Sequence, residues 1–248
     1  MSRTMPAVAR RASMTRRAAL VAVGAALLAA CGSVQEKASP SPAPAPVAPP
    51  REPAHVRFVH ASAPTPAVDI SIGSERIVEN LQVGGFTPQR IDIAPGEHEL
   101  DVRAIRVPGQ PMLSAKVDLA EGAKVTLVLL GDPNSSVPGQ RLDLLVVPDP
   151  ERAVVPERRS LVRFVHAIPG GPVVDLADAN SRTYARDLGY RQVSGFVSAP
   201  AQTDPTRLVA AGRTLLESGV PYAAGRLFTV VLMPQADGYT YAIVNERP

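Results

Sequence analysis

Two histidines stand in identical surroundings. His60 lies in Val56-Arg57-Phe58-Val59-His60-Ala61, and His166 lies in the same six residues at 162–167. An imidazole can serve as a general base or a metal ligand and titrates near neutral pH, so the repeat raises the question of two copies of one site. Each histidine has an aspartate nine residues on, Asp69 and Asp175. One His and one Asp are too few for zinc, which takes three or four ligands. His98, in Gly-Glu-His-Glu-Leu at 96–100, has no counterpart in the second copy and does not form His-Glu-x-x-His. A serine nucleophile needs a base and a held acid beside it, and no Gly-x-Ser-x-Gly elbow occurs. Ser135 and Ser136 fall in turn sequence, and Ser194 falls in a diverged step of the repeat. Gly84-Gly85 follows no phosphate-loop pattern and is expected to be a bulge or tight turn. With five Tyr, five Phe and no Trp to serve two cores, aromatic platforms for sugars are weakly supported.

The residues therefore assign no catalytic, metal or cofactor-binding site. His60 and His166 are expected to close a strand, with the ring on the core and a nitrogen satisfied by a turn carbonyl or Asp69. Alternation puts Val56, Phe58 and His60 on the core-facing side. Arg57 with Asp69, and Arg163 with Asp175, are expected to form solvated pairs across neighbouring strands, each worth under ~1 kcal/mol and acting as a register device.

The elements that position these residues follow from periodicity. Val68–Ile72, Glu99–Ala104 and Ala115–Leu119 alternate with period two, and Val125–Leu130 is continuously apolar, as in a strand buried on both sides. Turn sequences separate them: Ala-Pro-Gly at 94–96, Val-Pro-Gly-Gln at 107–110, Glu-Gly at 121–122 and Gly-Asp-Pro-Asn at 131–134. Short strands at this spacing indicate a β-sandwich. The unit recurs after about a hundred residues. Residues 55–73 match 161–179, Gln82-Val83-Gly84-Gly85-Phe86 matches Gln192-Val193-Ser194-Gly195-Phe196, and 122–132 matches 225–235. That is a domain duplication. A helical turn is possible only in 183–193.

These motifs closely resemble a bacterial envelope module, the domain of unknown function 4397. The resemblance rests on residues 56–72, the Gly-Gly-Phe step, Ile93–Ala104 and Ala120–Asp132. It covers nearly all of 55–148 and, more loosely, 161–246. It implies an all-β fold of two tandem immunoglobulin-like sandwiches on a secreted or anchored protein, and it carries over no catalytic residue. The second copy departs at 197–212, where the clean strand of 95–104 is replaced, and this puts its middle strands in question.

The first thirty residues carry five arginines and no acid. An apolar run from Ala18 to Ala30 follows Arg16-Arg17. Its 13 residues are too few for a membrane span, which needs about 20, and suit the core of a signal peptide. The run ends in Leu28-Ala29-Ala30-Cys31, which resembles the bacterial lipobox, whose cysteine is lipidated and becomes the first mature residue. Cys31 is the only cysteine in the chain. An ordinary secretory signal is the alternative. Thr15–Leu20 also resembles a twin-arginine export signal, with Ala19 in place of the usual Phe, and Met14 would give a more ordinary signal length than Met1. "SPSPAPAPVAPPREP" at 39–53 is a proline-rich tether, extended at ~3 Å per residue where polyproline II holds.

Without those five arginines, 21 basic residues face 23 acidic ones, so the basic pI of the whole chain does not indicate a nucleic-acid partner. The expected organisation is a signal peptide over 1–30, the lipidated Cys31 and linker over 31–54, one sandwich over 55–149, a linker over 150–160 and a second sandwich over 161–248. The expected function is an exported, membrane-anchored envelope protein that is not an enzyme. It would contact the membrane through Cys31, with an envelope protein or polysaccharide as partner, or would act purely as a spacer. A periplasmic hydrolase is the alternative.

Overall fold

The computed structural model describes residues 51–105, 107, 109–150, 152–201 and 203–247. The apolar run, Cys31 and the tether up to residue 50 lie outside the described residues. The first repeat begins with β1 (Ala54–His60), buried along almost its whole length. Then come β2 (Val68–Ile72), β3 (Glu75–Leu81), β4 (Ile91–Ile93), β5 (Gly96–Ala104), β6 (Leu113–Leu119), β7 (Lys124–Leu130) and β8 (Asp143–Pro148). The second repeat holds β9 (Arg159–His166), β10 (Val174–Ala177), β11 (Thr183–Leu188), β12 (Val197–Pro200), β13 (Thr203–Ala210), β14 (Arg213–Pro221), β15 (Leu227–Gln235) and β16 (Gly238–Glu246). No described residue is helical.

Each repeat is a sandwich of two four-stranded sheets, and the orders correspond strand for strand. The first repeat has β3-β2-β5-β6 and β4-β1-β7-β8; the second has β11-β10-β13-β14 and β12-β9-β15-β16. All pairings are antiparallel except β1 with β7 and β9 with β15, which run parallel. Inside the first sandwich Val56, Phe58, Leu127 and Leu129 meet Val68, Ile70, Leu100 and Val102, all essentially fully buried. Inside the second, Val162, Phe164, Phe228 and Val230 meet Leu176, Leu208 and Tyr222.

The other faces of β1, β7, β9 and β15 are not in water. Val59, Ala61, Val128, Leu130 and Val147 of the first repeat pack with Val165, Ala167, Val231, Met233, Ala242 and Val244 of the second in a third apolar cluster. The two inner sheets thus stack on each other, and both repeats belong to one compact unit. This is why Val125–Leu130 is a continuous apolar run: its odd-numbered residues face their own sandwich and its even-numbered ones face the other repeat or its border.

Three sequence expectations change. The segment 183–193 forms no helical turn; β11 pairs with β10 and buries Tyr184, Ala185 and Leu188. The second copy keeps its middle strands. β13 tolerates Pro205 because its pairing with β10 covers only Arg207–Val209, so the missing amide faces no β10 partner there. The match of Gln82–Phe86 to Gln192–Phe196 is out of register. His60 is bonded by the backbone of Gly84 and Gly85, and His166 by Arg191 and Gln192, which sets the true offset at 107 residues and not 110. Repeat 1 has one more residue between this turn and the next strand: four steps separate Thr87 from Ile91, three separate Ser194 from Val197. Gly84-Gly85 is a tight turn, as expected, with Gly84 at φ 76° and the Gly85 amide bonded to the Gln82 carbonyl.

Leu130→Ala tests the stacking. It touches neither sandwich interior, yet should cost about 2–4 kcal/mol through the cavity it leaves between the repeats. Urea denaturation followed by circular dichroism measures it.

Candidate functional site

The two histidines do the same structural work in both repeats. Each is fully buried. The His60 Nε2–H donates to the Pro66 carbonyl at 3.0 Å, and its Nδ1 accepts from the Ser62 amide at 3.3 Å. His166 repeats both bonds with Pro172 and Ile168 at the same distances. Both ring nitrogens are therefore engaged with backbone, and neither ring is presented to a substrate. Burial lowers both imidazoles below the ordinary value of 6.5, against the opposing effect of the carbonyl bonds. The remaining candidates are equally occupied. The Ser194 hydroxyl accepts from the Phe164 amide and donates to the Gly195 carbonyl; its partner by position is Thr87, which accepts from Phe58. Ser135 Oγ accepts from the Val137 amide within its turn. His98 Nε2 is 2.6 Å from the Ala94 carbonyl. Among the described residues no three metal-ligating side chains converge.

The repeated aspartates do not pair with the repeated arginines. Asp69 Oδ1 accepts from the Asn80 amide at 2.8 Å, and Asp175 Oδ1 from the Asp187 amide at 2.9 Å. Asn80 and Asp187 have φ of 52° and 51°, and the register of the strand pair shifts beside each. The carboxylate clasps a bulge in the adjacent strand and holds its left-handed residue. Asp69 does set strand register, but through backbone.

Freed from that pairing, the arginines form the most concentrated charge in the structure. Arg57 and Arg163 lie on the inner-sheet faces, 6% and 3% exposed. Arg57 bonds to Glu246 of the second repeat, and Arg163 to Asp149 of the first. Asp149 and Glu246 are equivalent positions, each just across from the start of its own repeat's β7 or β15. The exchange is thus reciprocal. Arg163 also donates from Nε to Thr229 and from Nη1 to the Pro148 carbonyl. Phe86 lies 5.9 Å from the Arg57 guanidinium carbon and Phe196 4.8 Å from that of Arg163.

Arg90 breaks the symmetry. It donates to Asp149 Oδ2 at 2.8 Å and to Glu246 at 2.6 and 2.8 Å, so one guanidinium bridges both carboxylates. Its Nη1 reaches the His55 and Val125 carbonyls. In the second repeat the residue just before the corresponding strand is Phe196. Burial pulls the guanidinium groups of Arg57 and Arg163 down from their ordinary value, and the facing carboxylates, Glu246 and Asp149, push them back. At the far end of the interface Arg191 pairs with Asp143 across the repeats at 2.7 Å.

Sequence reasoning missed Arg90, Asp149 and Glu246 and placed Arg57 and Arg163 in solvent. One signal was available: Val59 and Ala61 share the Arg57 face, and an arginine among apolar residues on a strand's second face implies that something covers that face.

A family described as "Domain of unknown function (DUF4397)" matches residues 54–177 and again 160–247. No curated protein matches the chain. Two solved structures, each described as a "putative cell adhesion protein", are similar. That from Bacteroides uniformis has 10% identity, covers 78% of this chain and 98% of its own, and has a TM-score of 0.24. That from Bacteroides ovatus has 9% identity, covers 79% and 96%, and has a TM-score of 0.20. Likeness at that level carries no argument about what this chain binds.

Two measurements test the site. Arg163→Ala leaves Asp149 buried with one cation fewer and should cost about 3–5 kcal/mol, read from urea unfolding; a double-mutant cycle with Asp149→Ala isolates the pair. The histidines set a pH window. Their lowered folded-state values mean that the unfolded chain binds protons the folded chain does not. Their contribution is complete above about pH 6.5 and falls as pH drops through that value. His60→Gln/His166→Gln should therefore lose less melting temperature than the wild type between about pH 7 and about pH 5.

Proposed function

The chain belongs to the DUF4397 family, in two copies of which the second has diverged, and from that premise we propose that it is an exported lipoprotein of the bacterial envelope whose two sandwiches act as one rigid, non-catalytic binding unit. The observation that carries the anchor is Leu28-Ala29-Ala30-Cys31 directly after an apolar run, with Cys31 the chain's only cysteine. Residues 1–30 are then the signal peptide, and Cys31 with the proline-rich linker to residue 54 holds the folded part off the membrane. The first sandwich spans 55–149, the second 161–248, and 150–160 joins them. The partner is an envelope protein or polysaccharide; nucleic acid is not one.

The non-catalytic part rests on the state of the histidines. A general base needs a free nitrogen within reach of a substrate proton, and both nitrogens of His60 and of His166 are held by backbone. The same bonds speak against the hydrolase alternative.

Growth with a clickable palmitate analogue tests the anchor. The wild type should label and fractionate with membranes, and Cys31→Ala should do neither; a labelled Cys31→Ala protein overturns it. Cross-linking in intact cells followed by mass spectrometry separates a binding unit, which yields recurrent adducts, from a spacer, which yields none.

A further inference from the structure

The geometry points to a phosphate-type oxyanion site in the crevice where the charged layer between the two sandwiches reaches the surface. The crevice has a volume of about 130 Å³ and draws walls from both repeats. Arg90, Lys124 and Asp149 come from the first, and Glu246 and Arg247 from the second. The volume is well below the ~300–1,000 Å³ of sites for larger organic ligands, so a single small anion or one headgroup is the occupant that fits.

The charge balance selects the sign. Both carboxylates on the wall are already engaged by guanidinium groups: Asp149 by Arg90 and Arg163, Glu246 by Arg90 and Arg57. Three arginines therefore face two carboxylates within the layer, and one positive charge is uncompensated. Lys124 and Arg247 add two more at the rim, both exposed. Among the described residues neither is in an ion pair. An unbalanced charge in a partly dry site is costly, and an anion placed between the rim cations and Arg90 relieves it. Arg90, Lys124 and Arg247 around one small space match an oxyanion with three or more free oxygens.

Two sources carry this chemistry: free phosphate and the phosphomonoester of a lipid headgroup. The site stands whether or not Cys31 is lipidated, because its test uses the segment from residue 51 to 248, which contains all sixteen strands and all three apolar clusters. Thermal unfolding is compared in sodium phosphate and in sodium chloride at matched ionic strength. Phosphate at roughly ten times its Kd should raise the melting temperature by about 3 °C over chloride, and Lys124→Gln/Arg247→Gln should abolish the difference. Titration calorimetry with inorganic phosphate gives the same comparison should that double variant lower the melting temperature by itself. Co-sedimentation with phosphatidylcholine vesicles, with and without phosphatidic acid, distinguishes the sources. Pelleting that needs phosphatidic acid and both rim cations supports the headgroup, and a phosphate-specific shift without pelleting supports the free ion. Equal behaviour of wild type and double variant in both assays overturns the site.

Discussion

The structure depends on placing two arginines on faces that end up between two sheets. Arg57 and Arg163 occupy the same position in their repeats, and each would be an unpaired buried charge in an isolated sandwich whose inner sheet was covered by something apolar. Each finds its carboxylate on the other repeat. Each repeat therefore meets its arginine with a carboxylate of the other, and separation of the repeats would break both pairs. Arg90 ties the two carboxylates together, so the pairs form one network.

This network adds specificity to an interface whose strength is apolar. Eleven buried residues from the third cluster supply the area, and apolar burial is not directional. Two valine- and alanine-rich faces could slide or rotate over one another at small cost. Reciprocal ion pairs at one end, with Arg191 and Asp143 at the other, fix a single docking. A buried polar network in such a role is a registry device as much as a source of stability.

The duplication explains the near-symmetry, and its one break gives the site its character. Because Phe196 stands where repeat 1 has Arg90, the network has three cations and two anions, not an even balance. Arg90 lines the crevice together with Lys124 and Arg247. Repeat 1 also has one residue more between the turn at Gly84-Gly85 and β4 than repeat 2 has before β12.

Much was legible in the sequence because it depends on local pattern. Period-two alternation and turn residues located the strands, the hundred-residue repeat located two sandwiches, and Val56, Phe58 and His60 were placed on the core side, since alternation within a strand is set by the backbone alone. Leu28-Ala29-Ala30-Cys31 and the proline-rich stretch at 39–53 are features of the sequence alone. What covers the second face of a strand is not local. Arg57 looked solvated because its partner is 189 residues away, on a strand of the other repeat, and Asp69 looked like its partner because it was near in sequence. Only the packing of sheet on sheet brought Arg57, Arg90, Arg163, Asp149 and Glu246 together. A strand pattern specifies which residues share a face, but which two faces meet depends on the shape and charge of both at once.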